Sequence, residues 1–93
     1  MTHSEARQEV KAHFRNLLSQ SQKNFESTAV YYSCCVLVQY HAPAETPEHE
    51  EASRKTAEAF KALLSRNDFM VRAERAYDSV TEQIEAIQAG KDN

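Results

Sequence analysis

The first third of the chain alternates apolar and polar residues at helical spacing. Its apolar positions, three or four residues apart, are Ala6, Val10, Phe14, Leu17 and Leu18. Such a row occupies one side of an α-helix. Thr2 and Glu5 are spaced as in a capping box, which marks a helix start. We therefore predict an amphipathic helix over about 4–22, ended by the hydrophilic run 19–24.

A stretch without any Lys, Arg, Asp or Glu follows, from Ser27 to Ala42. Its Val and Tyr residues favour a β-strand by local propensity. The chain, however, contains no second alternating segment and no Asn-Gly or Asp-Gly hairpin signal that could supply a partner strand. We predict a helix over about 25–42, apolar nearly all round, which is typical of a buried helix.

The third predicted helix has the clearest start in the sequence. Pro43 disfavours continuation of the preceding helix, whereas Thr46 and Pro47 are suited to the N-cap and the first helical position. Acidic residues follow in the first turn, where the helix dipole favours them. The pattern predicts a helix over about 47–64, with a break at 65–68 because Ser, Asn and Asp compete for backbone hydrogen bonds. A helix that continues through 65–68 is the alternative.

The last segment has a short coiled-coil-like seam. Its apolar residues alternate spacings of three and four: Met70, Ala73, Tyr77, Val80, Ile84 and Ile87. This spacing predicts a helix over about 68–89 that packs against another helix, with Gly90 as a stop signal. The predicted fold class is therefore all-α: residues 1–93 form a single domain, a small bundle of three to four helices, with dimerisation as a means of completing it.

The size, composition and net charge of the chain disfavour some classes of function and partner. The 93 residues are 41% hydrophobic, contain one Gly and two Pro, and carry a formal charge of -3. A chain this short buries only about 60 to 65% of its unfolded surface, so a partner is expected to complete the core. Negative net charge disfavours nucleic acid and anionic membranes as partners. The first ten residues lack the apolar centre of a secretory signal, and no stretch is suited to spanning a bilayer, so we expect a cytoplasmic protein without a membrane partner.

Two adjacent cysteines are the main candidates for chemistry. Cys34 and Cys35, with His41 on a nearby face of the helix, could form part of a zinc site or a redox-sensing thiol pair. A fourth zinc ligand at a usual spacing is missing, and free cysteine commonly packs as a small hydrophobe. The single glycine excludes Gly-rich phosphate loops. We accordingly predict that the protein is not an enzyme and uses no cofactor or metal.

Charged residues recur along one side of each terminal helix. A basic stripe contains Arg7, Lys11 and Arg15, and an acidic stripe contains Glu74, Asp78 and Glu82. Three interpretations are open: solvated faces with weak local ion pairs, pairing of the two stripes within a chain or between chains, and contact of the basic stripe with phosphates.

Tyrosine is enriched in protein interfaces because its ring can be buried while its hydroxyl finds a partner. We predict a helical protein–protein interaction module: an adaptor, a small chaperone, or a regulator or inhibitor that occludes a surface of a larger assembly. The protein partner is of unknown identity, and a homodimer is expected. The predicted interface residues are Tyr31, Tyr32, Val36, Tyr40, Met70, Tyr77, Val80 and Ile84. The alternatives are a nucleic-acid-associated regulator using the basic stripe, and a thiol or metal sensor centred on Cys34 and Cys35.

Overall fold

A computed structural model describes residues 2–91, with side chains to residue 90. Two helices make up nearly all of this range: α1 spans His3–His41 and α2 spans Pro47–Lys91. No strand occurs among the described residues. The all-α prediction is confirmed, whereas the prediction of three to four helices is wrong, because each helix covers two of the predicted segments.

The predicted break between the first two segments is absent. Helix α1 runs through 19–24 without interruption. The Ser21 hydroxyl donates to the Leu18 carbonyl oxygen at 2.7 Å, and the Thr28 hydroxyl donates to the Asn24 carbonyl oxygen at 2.8 Å. These hydroxyls bond back along the helix, where they are compatible with helical backbone, and do not form a cap.

The predicted break at 65–68 is also absent, since α2 continues through it. The tetrapeptide Ser65–Asp68 contains neither Gly nor Pro. Its residues each cost less than about 0.7 kcal/mol relative to alanine in a helix interior. Ending and restarting a helix would expose several unpaired backbone groups. Continuation is therefore the less costly solution.

Two of the four predicted helix starts, those near residues 4 and 47, are confirmed by their hydrogen bonds, whereas the starts predicted near 25 and 68 lie inside α1 and α2. The Glu5 amide donates to the Thr2 hydroxyl at 3.1 Å and the Thr2 amide donates to a Glu5 carboxylate oxygen at 3.4 Å, which completes the capping box. At α2, the His49 amide donates to the Thr46 hydroxyl at 3.2 Å. Thr46 is thus the N-cap and Pro47 the first helical residue.

Five residues, 42–46, connect the helices. The Ala42 amide still donates to the Val38 carbonyl oxygen at 3.0 Å, and the Thr46 hydroxyl donates to the Pro43 carbonyl oxygen at 2.7 Å. Glu45 adopts a left-handed backbone with φ 63°. This conformation, uncommon for a residue with a side chain, reverses the chain direction between the two helices.

The chain divides into two compact units, each containing a piece of both helices. The loop unit comprises residues 23–68, and the terminal unit comprises 2–22 together with 69–91. Cys35, Ala52 and Ala59 form the buried apolar core of the loop unit; Ala73 and Ile84 form that of the terminal unit. Alanine allows close helix approach but contributes little apolar area, so each unit has a small core. The single-domain assignment stays a prediction.

Candidate functional site

The stretch without charged residues forms an exposed apolar surface on the loop unit. We call it the charge-free face; its members on α1 are Val30, Tyr31, Cys34, Leu37, Val38 and Tyr40. Val30, Leu37 and Tyr40 are 65%, 58% and 82% exposed, respectively. Scattered apolar residues on a surface are ordinary, whereas a contiguous patch of them is typical of a binding site. The chain itself therefore does not cover this helix on all sides, and its burial at a homodimer interface stays a prediction.

Contacts on the opposite side of α1 determine how this helix is rotated relative to α2 in the loop unit. Cys35 is buried, and the Tyr32 ring lies 5.7 Å from the Phe60 ring of α2, measured between centroids. The Gln39 side-chain amide donates to the Ser53 hydroxyl at 3.0 Å. These contacts lie two helical turns apart along α1, so they fix its rotation. Val30 and Leu37 therefore point away from α2, whereas Tyr31, Cys34 and Val38 border it.

A groove follows one edge of the charge-free face, between α1 and α2 of the loop unit. Tyr31, Cys34, Cys35 and Val38 line one wall, and Ala52 and Lys55 line the other. Its volume is about 220 Å³. An apolar floor beside a charged rim is the usual composition of a protein-binding surface.

Ion pairs lie on the exposed side of α2 in the loop unit. Arg54 donates to Glu51 and, at 2.7 Å, to Glu58. The hydrogen bond from Arg54 lowers the pKa of the Glu51 carboxyl. These groups are exposed, so solvent screening leaves the pairs with little effect on stability.

The predicted interface residues fall into two groups. On α1, Tyr31, Val36 and Tyr40 are exposed, whereas Tyr32 is half-buried against Phe60. On α2, Ile84 is buried, and the other members of the seam are half-buried in the terminal unit: Met70, Tyr77 and Val80. The α2 seam thus packs largely within the terminal unit, and the assignment of its members to a partner interface stays a prediction. The exposed members lie on or beside the charge-free face.

The sequence analysis did not select Val30, Leu37 and Val38 as interface residues. The available signal was the absence of charge over sixteen positions combined with apolar residues on every side of the helix. That pattern predicts burial without indicating which side is covered by the same chain. Only the packing of Cys35 and Tyr32 toward α2 reveals that Leu37 points outward.

The two charged stripes are not joined by an ion pair within the described residues. In the terminal unit, Arg7 and Lys11 are half-buried and Arg15 is exposed. The acidic stripe is exposed at all three positions: Glu74, Asp78 and Glu82. Arg15 instead lies near the Tyr77 hydroxyl and lowers the pKa of Tyr77. Pairing of the stripes between chains and contact with phosphates stay predictions.

The pKa values of two tyrosines are shifted in opposite directions. The interaction with Arg15 lowers the pKa of Tyr77, whereas the hydrogen-bonding interaction with the Cys35 side chain raises the pKa of Tyr31. In an ultraviolet phenolate titration, assigned with Tyr→Phe variants, Tyr77 should ionise before Tyr31. Arg15→Gln should move Tyr77 back toward the ordinary tyrosine value of about 10. An unchanged Tyr77 titration in that variant would contradict this assignment.

These two pKa shifts change the stability of the folded chain with pH in opposite ways. Because folding lowers the pKa of Tyr77, its phenolate stabilises the folded chain above the unfolded pKa, and this contribution is lost as pH falls through the folded pKa. Tyr31 behaves oppositely: its neutral phenol favours the folded chain below the unfolded pKa, and that contribution is lost as pH rises through the folded value.

The thiols differ in accessibility: Cys34 is exposed and Cys35 is buried. Within the described range, no three His, Cys, Asp or Glu side chains are grouped so that they could hold a metal ion. A search of the described helices also finds no segment with the length and apolarity needed to cross a membrane.

Comparison of the chain with protein-family models, with curated proteins and with solved structures found no match. A functional assignment must therefore be argued from the charge-free face and its surroundings.

Proposed function

We propose that this protein is a non-enzymatic helical interaction module whose docking surface is the charge-free face. The observation that carries the proposal is the exposure of Val30, Leu37 and Tyr40 within a stretch that lacks any charged residue. An unpartnered surface of this kind costs about 25 cal/mol for each Å² of apolar area left in water. A partner that covers it recovers this free energy.

The partner surface should itself be apolar and helical. The face is a ridge of side chains on a single helix, and such ridges pack into the grooves of another helix. Its groove toward Ala52 and Lys55 offers space for a protruding side chain. An adaptor, a small chaperone or an inhibitor could each use such a surface, and all of them act by covering apolar area on a partner.

Site-specific photo-crosslinking tests the proposal. A benzophenone amino acid replaces Leu37 on the charge-free face or, as a matched control, Lys61, which is exposed on α2. Irradiated in cells, the chain labelled at position 37 should give an adduct of discrete mass, and Val30→Glu in the same chain should abolish it. If position 37 labels no more than position 61, the charge-free face is not a docking surface.

A further inference from the structure

We infer that the charge-free face binds a second copy of this chain, packed antiparallel about a twofold axis that passes between Ser33 and Cys34. The inference rests on the proposed function, because it names the occupant of that docking surface. A twofold interface requires a self-complementary surface, in which each residue faces the residue equally distant on the other side of the axis.

The outward row of α1 has this symmetry. Val30 and Leu37 lie at equal distances on either side of the axis, and both are exposed. In an antiparallel pair, Val30 of each chain packs against Leu37 of the other. The two largest apolar side chains of the row are therefore buried in both copies. The row Val30, Cys34 and Leu37 has spacings of four and three, which is the spacing of a helix–helix seam.

The residues at the axis are suited to close approach. Ser33 and Cys34 are small, and small residues at a crossing allow two helices to approach to about 8 Å. The Ser33 hydroxyl already donates to the Ala29 carbonyl oxygen at 2.9 Å. Burial of Ser33 therefore leaves no donor without an acceptor, and the usual cost of covering a hydroxyl is avoided.

The polar side chains that border the row favour the antiparallel direction. Glu26 is exposed and lies one turn before Val30; His41 is exposed and lies one turn after Leu37. About the proposed axis, Glu26 faces His41 of the second copy, an acceptor opposite a donor. A parallel pair would instead place Glu26 opposite Glu26 and Lys23 opposite Lys23, and like charges in direct opposition disfavour association.

The exposed thiol beside the axis provides the test. Cys34 of each copy lies within one residue of the axis, close enough for a disulfide, whereas Cys35 is buried in its own chain. Diamide accepts the two protons and two electrons that two thiols release as the S–S bond forms. In the purified full chain, wild type and Cys35→Ala should form disulfide-linked dimers, and Cys34→Ala should not.

A second pair of cysteines tests the direction. In a chain with Cys34→Ala and Cys35→Ala, Val30→Cys and Leu37→Cys are introduced together. These positions are two turns apart in one helix, too far for a disulfide within a chain. Cleavage after Tyr31 and Tyr32, followed by mass spectrometry, separates the linkages. Bonds from position 30 to position 37 are expected; bonds from 30 to 30 and from 37 to 37 would overturn the antiparallel arrangement.

Failure of this inference differs from failure of the proposed function. If Cys34 does not crosslink in the purified chain while position 37 still gives a specific adduct in cells, the face docks another protein and the second copy is excluded. If position 37 also labels nothing beyond the Lys61 control, both proposals are overturned.

Discussion

Replacing Ile84 by alanine should destabilise the protein by about 2–4 kcal/mol, the range for truncating a buried isoleucine. Ile84 is only 7% exposed. It lies against α1 beside Ala6 and Val10. Ala73 is the other buried apolar residue of the terminal unit, so Ile84 contributes the larger share of its buried apolar volume. Because domains of this size are stable by only about 5–15 kcal/mol, the loss is a large share of the total.

Ile87 provides a matched control three residues further along the same seam. It is 51% exposed, so Ile87→Ala removes the same atoms with less lost packing. Its cost should stay below about 1 kcal/mol, partly offset by the higher helix propensity of alanine. Urea unfolding followed by circular dichroism, at one fixed protein concentration, measures both variants. Equal losses would contradict the packing described for the terminal unit.

The substitution Leu37→Glu on the charge-free face should strongly weaken the association of two chains. Leu37 is exposed in the single chain, so the variant should retain its helices. In the proposed dimer, however, the new carboxylate would be buried against Val30 of the second copy, and symmetry places it there twice. An unpaired buried charge costs about 3–5 kcal/mol, which corresponds to a weakening of association by about a hundredfold or more.

Ala62→Glu is the control for this change. Ala62 is exposed on α2 of the loop unit and lies outside the charge-free face. The substitution adds the same charge to the same unit, so it tests whether net charge alone weakens association. It should leave the dimer intact. Dissociation of both variants would show that Leu37 has no specific role in the interface.

Local signals in the sequence predicted the helix starts and the α2 seam. The capping box of Thr2 and Glu5 and the N-cap at Thr46 depend on neighbours a few residues away, and the structure contains both. The seam ending at Ile84 and Ile87 follows from the helical repeat. These features need no knowledge of the rest of the fold, which is why the sequence suffices for them.

The number of helices and the exposure of the charge-free face could not be predicted from residues a few positions apart in the sequence. Ser21 lies in the hydrophilic run predicted to end the first helix, yet its hydroxyl, like that of Thr28, bonds to a carbonyl group of the preceding turn. Likewise, a helix that is apolar on all sides carries no mark of which side the chain itself covers. The contact between Tyr32 and Phe60 decides this, and it joins residues far apart in sequence.

The most direct measurement is the absolute mass of the protein in solution, by light scattering after size-exclusion chromatography over a dilution series. We predict twice the chain mass of 10.6 kDa for the wild type and for Ala62→Glu, and the mass of a single chain for Leu37→Glu. A wild-type chain that remains monomeric at every concentration, or a Leu37→Glu variant that dimerises as the wild type does, would contradict the self-association of the charge-free face.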